Sequence, residues 1–279
     1  MNRRPVFLIT MLCFGFAFFY IPILSMVVYS FNGSRLATVW GGFSTRWYVA
    51  LWENRQVWDA LILSLGIAFV SATGATILGT MAGIALARFR RFRGRTLFSG
   101  MVTAPLVMPE VITGIATLML FIVLANWIGW PMQRGFTTVT LAHITFSMVF
   151  VTTVVHSRLT SADRAIEEAA MDLGSRPWQV LWDVTLPMIR PAILSGWLLA
   201  FTISFDDVVI TSFTTGPGAT TLPLLVWSKV KLGVTPDINA LATLIVVTVG
   251  IGVALAGWIL HRAEKRRQRD AQMAYRGGR

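Results

Sequence analysis

Long apolar runs alternate with short polar stretches along the chain. Six of these runs are long enough for a helix to cross a hydrocarbon layer of about 30 Å. The pattern therefore predicts an all-α, polytopic membrane protein with six transmembrane helices. The predicted spans are Val6–Phe31, Ala60–Ala87, Leu97–Ala125, Thr137–Ser157, Ala192–Thr215 and Ala240–His261.

The first span follows Arg3 and Arg4, as the apolar part of a signal peptide follows its basic part. It continues for about 25 residues without a small-residue cleavage site, so an uncleaved signal anchor is the better interpretation.

No internal repeat or low-complexity linker divides the chain. We predict an N-terminal region, residues 1–59, that holds the first span and a periplasmic amphipathic segment. A five-helix core, residues 60–261, contains a cytoplasmic loop at 158–191, and residues 262–279 form a basic cytoplasmic tail. The amphipathic helix is predicted within Phe43–Trp58, where aromatic and apolar residues recur on one face.

The charge distribution orients these spans. Of the 24 Lys and Arg residues, 18 fall on the side of the membrane that holds the N terminus. Basic residues favour the cytoplasmic side, so both termini are predicted to be cytoplasmic. The net charge of +11 therefore flanks membrane spans and gives no reason to expect nucleic-acid binding.

The chain lacks the usual sequence signals for chemistry. Cys13 is the only cysteine, so no disulfide framework or cysteine metal site is available. No phosphate-binding G-x-x-x-x-G-K-[ST] loop, G-x-S-x-G elbow or H-E-x-x-H helix is present. The three histidines are too scattered to predict a shared metal site, and for His143, inside a span, a packing or interface role is favoured over lining a path. We expect no enzymatic activity and no bound cofactor.

The polar stretch between the fourth and fifth spans predicts a helix–turn–helix elbow. Asp163 is placed to cap a helix over Ala165–Leu173, and Gly174 supplies the left-handed stop. Ser175 is predicted to cap a second helix that has Pro177 in its first turn. Two prolines are predicted to end that helix: Pro187 and Pro191.

Both arms of the elbow carry apolar residues at helical spacing. Ile166 and Leu173 recur with Ala169 and Ala170 on the first arm, and the second arm presents tryptophans. This surface either packs against the protein's own bundle or docks a cytoplasmic partner, and the periodicity alone favours neither.

Three carboxylates, Glu110, Asp206 and Asp207, fall within predicted spans. An acid there costs roughly 2.5–3.5 kcal/mol and normally faces a cavity or a partner. Glu110 and Asp206 lie about 20 Å from the cytoplasmic edge at helical rise, which predicts a negatively lined chamber. Asp206 and Asp207 point in different directions on a helix, so they are expected to differ in role. Contact with a cationic substrate, capping at a helix break and pairing with a partner's arginine are the alternatives.

Pro105 and Pro109 lie four residues apart in the third predicted span. Each removes a backbone donor and obstructs the helix, so this span is predicted to be kinked or broken. Broken membrane helices line cavities, because unpaired backbone groups are tolerated only there.

The elbow also resembles a known family. Glu-Ala-Ala, a glycine four residues on, then an aliphatic residue and Leu-Pro is similar to the EAA loop of permeases from bacterial binding-protein-dependent ABC importers, the MetI-like family. That resemblance implies the type I importer architecture and a coupling helix docked on a separate ATPase subunit, which binds the ATP. The matching positions, with Val where the family usually has Ile, are Glu168, Ala169, Ala170, Gly174, Val184, Leu186 and Pro187.

Further segments resemble the second permease subunit of bacterial putrescine/spermidine importers. They read TAPLVMPEVITG, EEAAMDLG, SFDDVVITSF, GPGATTLP and INALATL. The resemblance implies ATP-driven polyamine import by alternating access across a bacterial inner membrane. It also implies three partners besides the lipid bilayer: an ATPase dimer, a homologous second permease and a periplasmic binding protein.

Two other interpretations compete. An importer of the same family for iron or amino acids shares the elbow, whereas acids in the path argue against anionic cargo. A proton-driven secondary carrier would use Glu110, Asp206 or Asp207 as a relay but leaves the elbow unexplained.

Overall fold

The computed structural model describes residues 3–36, 39–89, 91–233 and 235–252, with 258, 262 and 265. These residues are almost entirely helical or in loops, and the one extended pairing among them is an isolated bridge between Asn32 and Phe43. The helices are α1 (Arg3–Tyr29), α2 (Arg46–Glu53), α3 (Arg55–Arg88), α4 (Arg95–Val107), α5 (Glu110–Ile128), α6 (Phe136–Ser161), α7 (Ala165–Asp172), α8 (Pro177–Val180), α9 (Leu186–Asp206), α10 (Val209–Thr214), α11 (Leu222–Leu232) and α12 (Pro236–Gly252), with a π-helical segment at Leu181–Thr185.

Five helical stretches among the described residues are long and apolar enough to cross a membrane. They confirm the predicted spans except in three places. The third predicted span is divided into α4 and α5, the fifth is interrupted between α9 and α10, and the sixth is described without a gap only as far as Gly252, where α12 ends. The rest of Ala240–His261 apart from Trp258, and nearly all of the predicted tail 262–279, lie outside the described residues. The crossing stretches are Val6–Tyr29, Arg55–Arg88, Glu110–Ile128, Phe136–Ser161 and Pro177–Asp206.

The chain divides into two compact units, Gln56–Ser228 and the residues on either side of that range. In the flanking unit, Asn32 organises the loop between α1 and α2. Its side-chain amide donates to Val39 O at 2.8 Å, its carbonyl oxygen accepts from Gly41 N at 2.8 Å, and Trp47 Nε1 donates to Asn32 O at 2.7 Å. The predicted amphipathic helix is present as α2. The predicted division into three regions stays a prediction.

The central unit, Gln56–Ser228, is built around α6. Its core is formed largely by small and β-branched side chains of α3, α6 and α9, including the fully buried Ala72, Val151 and Ala200. Without a hydrophobic driving force between helices in lipid, small residues give close van der Waals packing. Gly79 shows this directly, because a Cβ there would lie 2.7 Å from Met148 O on α6.

The predicted break in the third span is confirmed and lies at Pro109. Pro105 is accommodated inside α4, whereas Met108 and Pro109 are extended, with ψ of 135° and 138°. The residue before a proline is pushed out of the α region, which explains why α4 ends at Val107. Glu110 thus becomes the first residue of α5.

Two details of the predicted elbow are wrong. Ser175 does not cap the second helix, since Gln179 Oε1 accepts from Arg176 N at 2.8 Å instead. Pro187 and Pro191 do not end it either. The chain widens into the π-helical segment, in which Leu186 N donates to Leu181 O, and continues as α9. Pro187 is tolerated because it falls in the first turn of α9, where a missing N–H does little harm.

Candidate functional site

The fifth predicted span also breaks, at Asp207. α9 ends at Asp206, Asp207 is extended with ψ of 130°, and α10 begins at Val209. The Asp207 carboxylate lies over the start of α10, where it accepts from Thr211 N at 2.7 Å and Ile210 N at 3.3 Å. Carboxylates at such N termini satisfy unpaired N–H groups and suit the helix dipole. Asp207 therefore stabilises the break in the helix.

A buried polar chain holds Asp207 in place from the other side. His143 on α6 is only 2% exposed. Its Nε2 lies 3.2 Å from Asp207 Oδ2, and its Nδ1 lies 2.7 Å from Ser204 Oγ. Ser204 Oγ lies 2.7 Å from Ser71 Oγ, so the chain runs from α3 through α9 to α6. Buried polar groups demand partners, and here they supply each other.

All three predicted membrane carboxylates line one cavity of about 400 Å³. Glu110 and Asp206 are exposed there, while Asp207 is mostly covered by its hydrogen bonds. Within the described residues, neither Glu110 nor Asp206 forms an ion pair. The two breaks, at Pro109 and Asp207, thus bring acids from α5 and α9 to a common space.

Aromatic rings complete this cavity. Phe146 and Phe150 of α6 lie in its wall, edge to face with ring centroids 5.6 Å apart. Rings attract cations through their electron-rich faces, and carboxylates attract them by charge. A space with both suits an elongated molecule that carries cationic ends and an apolar middle.

The elbow forms a second candidate site, at the π-helical end of α9. Gly174 has φ of +90°, the left-handed conformation predicted for the turn. Glu168, Ala169 and Gly174 are exposed. The remaining matched positions are partly buried: Ala170, Val184, Leu186 and Pro187.

Large apolar side chains of the elbow are also exposed. Leu173 is 89% exposed and Trp178 is 65% exposed, and Trp178 packs edge to face on Trp182 with centroids 5.5 Å apart. Ile166 and Met171 are exposed as well. Of the two interpretations of this surface, the structure therefore argues against packing on the protein's own bundle, since contiguous exposed apolar groups mark interaction sites.

An ion pair that the sequence did not reveal fixes the elbow to the bundle. Glu167 on α7 is only 8% exposed and pairs with Arg88 at the end of α3, with 2.8 Å between Oε2 and Nε. Thr185 Oγ1 of the π-helical segment donates to Glu167 Oε1 at 2.8 Å, and Arg88 also donates to Leu159 O at 3.0 Å. One sequence feature could have predicted that Glu167 is buried. It lies three residues before the partly buried Ala170, on the same helix face.

Several apolar spans and a cavity between two helix breaks indicate a membrane transport component. A family model described as "Binding-protein-dependent transport system inner membrane component" matches residues 75–269. The chain belongs to this family, and the predicted family resemblance is confirmed.

Individual relatives are similar over most of their length. The chain is 57% identical to the putrescine transport system permease protein PotI of Escherichia coli (strain K12), over 99% of this chain and 100% of that protein. It is 43% identical to the spermidine/putrescine transport system permease protein PotC of the same strain, over 83% and 85% of the two chains.

Solved structures share the fold at low sequence identity. A chain of a bacterial ABC transporter involved in the import of the acidic polysaccharide alginate matches with a TM-score of 0.69 at 17% identity, over 91% of this chain and 96% of that one. A chain of the MetNI methionine ABC transporter matches with a TM-score of 0.59 at 17% identity, over 75% and 94%. The type I importer permease architecture is therefore confirmed.

Proposed function

We propose that this chain is the transmembrane permease subunit of an ATP-driven importer for polyamines such as putrescine and spermidine. The observation that carries the proposal is the cavity shared by Glu110, Asp206 and Asp207, in a chain similar over its full length to a putrescine permease. The chain performs no chemistry and moves its substrate by alternating access.

The cavity matches the charge and shape of this cargo. Alkyl amines titrate near pH 10, so polyamines carry two or more positive charges at neutral pH. Glu110 and Asp206 are free to replace the water around two ammonium groups, and Phe146 and Phe150 face the methylene chain between them. Asp207 contributes charge while it holds the helix break.

The elbow is the proposed coupling element. Its exposed surface around Leu173 and Trp178 docks on a cytoplasmic ATPase subunit, which binds the ATP because this chain has no phosphate-binding loop. The Arg88–Glu167–Thr185 contacts then pass motion of the elbow to α3 and α9. ATP biases the inward- or outward-facing state only through its different affinity for the two.

The complete importer contains an ATPase dimer, a second homologous permease and a periplasmic binding protein. The second permease makes a heterodimer with this chain. The protein lies in a bacterial inner membrane with both termini cytoplasmic, as the distribution of arginines favours.

Two other functions fit less well. An importer of the same family for iron or amino acids would share the exposed elbow, but the similar proteins described above are putrescine and spermidine/putrescine permeases. Anionic cargo would place carboxylates against like charge, at a cost of several kcal/mol. A proton-driven carrier would use the same acids but needs no exposed elbow.

Uptake by the reconstituted complex tests the proposal. The chain is assembled with its neighbouring permease and ATPase in liposomes, and the binding protein and labelled putrescine or spermidine are supplied. Uptake with ATP and none with ADP is expected. Uptake that ignores ATP would favour a secondary carrier, and an assembled complex that moves neither polyamine would overturn the cargo.

A further inference from the structure

A second cavity, of about 370 Å³, lies where α3 and α6 end and α4 begins. Its wall holds four basic side chains and, among the described residues, no carboxylate. The basic residues are Arg88, Arg95, His156 and Arg164. Three of these four residues are arginines, so permanently charged groups share this space.

The three arginines differ in how many of their guanidinium nitrogens donate hydrogen bonds. Arg88 uses all of its nitrogens on Glu167 and on Leu159 O. Arg95 and Arg164 each donate through one nitrogen, to Leu86 O at 3.3 Å and to Ala87 O at 2.8 Å. Neither of these two has a carboxylate partner in the part of the chain that the structure describes.

Capping of α3 explains only part of this arrangement. Leu86 and Ala87 belong to the last turn of α3, where cations satisfy terminal carbonyls. Each guanidinium has five N–H donors in a planar fork, so most donors of Arg95 and Arg164 remain for an oxyanion in the cavity. The unused donors of the site are therefore complementary to a phosphate group.

Exposed apolar side chains close in sequence to Arg88 and Arg95 indicate what carries the phosphate. Phe89, just past α3, and Leu97 and Met101, on the first turns of α4, are exposed. A ligand with an anionic head and an apolar body would satisfy both surfaces. Basic pockets at the cytoplasmic ends of membrane helices bind anionic lipid headgroups in this way.

We propose that this cavity binds the headgroup phosphate of an anionic phospholipid of the inner leaflet, through Arg95 and Arg164. The acyl chains lie along the exposed face of α4. The choice of leaflet rests on the membrane orientation given under the proposed function. The lipid steadies the ends of α3 and α6, and Arg88 links this region to the elbow.

Lipid binding to the purified complex, with partner subunits present, tests the assignment. Native mass spectrometry measures retention of phosphatidylglycerol against phosphatidylcholine, without polyamine or ATP, so failure of the transport proposal does not affect the result. We expect wild type to retain phosphatidylglycerol preferentially. The Arg95→Gln/Arg164→Gln double variant should lose about 25-fold in apparent affinity, at roughly fivefold per arginine.

Matched variants keep the result interpretable. Arg158→Gln removes the same charge from an exposed position on α6 that does not line this cavity, and it should change affinity less than about twofold. Arg95→Lys and Arg164→Lys keep the charge but lose the planar fork, so their preference for phosphatidylglycerol should lie between those of wild type and the double glutamine variant.

Three outcomes would overturn the proposal. One is equal lipid retention in wild type and the double variant. Another is binding of inorganic phosphate that depends on the two arginines, without any preference for phosphatidylglycerol. That result would assign the site to a soluble anion. The third is loss of the ATPase subunit from the double variant, which would make the cavity an assembly contact.

Discussion

The helix break at Asp207 and the elbow each contain two adjacent acids whose surroundings differ. At the break, Asp207 is held by His143 and the start of α10, whereas Asp206 faces the cavity. At the elbow, Glu167 is held by Arg88 and Thr185, whereas Glu168 is exposed. In both places one acid holds a junction between helices while its neighbour remains available to another molecule.

The two junctions differ in the groups that neutralise or hydrogen-bond the buried carboxylate. Glu167 meets a permanently charged guanidinium, so the elbow is fixed by a buried ion pair. Asp207 meets N–H groups, a hydroxyl and a histidine, so the break is fixed mainly by hydrogen bonds. Removing one partner of a buried ion pair costs more than removing a hydrogen-bonded cap, and the junctions should therefore differ in sensitivity.

The largest effect is expected at Glu167. Glu167→Ala leaves the Arg88 charge without a carboxylate and should destabilise the folded protein by about 3–5 kcal/mol. Thermal unfolding of the purified complex in detergent measures the change. Glu168→Ala is the matched control, with an unchanged melting temperature but weaker retention of the ATPase. If the two variants melt alike, the distinction between held and exposed acids at the elbow is wrong.

A smaller loss of stability is expected at Asp207. Asp207→Ala removes the cap on α10 and one partner of His143, at a cost of about 2–3 kcal/mol. Asp206→Asn should leave the melting temperature within a degree or two of wild type, because Asp206 has no such partners in the described structure. A larger loss of stability in Asp206→Asn than in Asp207→Ala would reverse the assignment at this break.

Asp206, whose loss should barely change stability, is expected to matter more for transport. If Asp206 and Glu110 each contact a cationic group of the substrate, as proposed, Asp206→Asn and Glu110→Gln should each lower polyamine uptake about tenfold, which corresponds to roughly 1.4 kcal/mol. The measurement is ATP-dependent uptake in liposomes at equal amounts of assembled complex. Normal uptake in both variants would leave these residues without a role in the path.

The smallest of the three losses of stability is expected at the turn that follows the exposed Glu168. Gly174 has φ of +90°, so Gly174→Ala strains the turn by about 1–2 kcal/mol. We expect weaker retention of the ATPase and slower uptake, with the fold intact. Gly15→Ala, on α1, is the matched control, because a Cβ there meets nothing within 4 Å and the backbone is not left-handed. Unchanged retention in Gly174→Ala would separate the turn from docking.

Features that depend on neighbouring residues in the sequence were predicted correctly. The spans follow from apolar length, the break at Pro109 from the restriction that a proline places on the residue before it, and the turn at Gly174 from the need for positive φ. Local rules also misplaced elements where alternatives were available nearby. Gln179 replaced Ser175 as the cap, and the π-helical segment absorbed Pro187.

The sequence by itself determined that this is a helical membrane protein with a helix–turn–helix elbow and three acids inside its predicted spans. Only the tertiary structure decided which acid in each pair is held. Arg88 is 79 residues from Glu167, and His143 is 64 residues from Asp207, so no periodicity connects them. Such pairs form because burial in a low-dielectric interior demands a partner, and the packing of α3, α6 and α9 decides which group is close enough to serve.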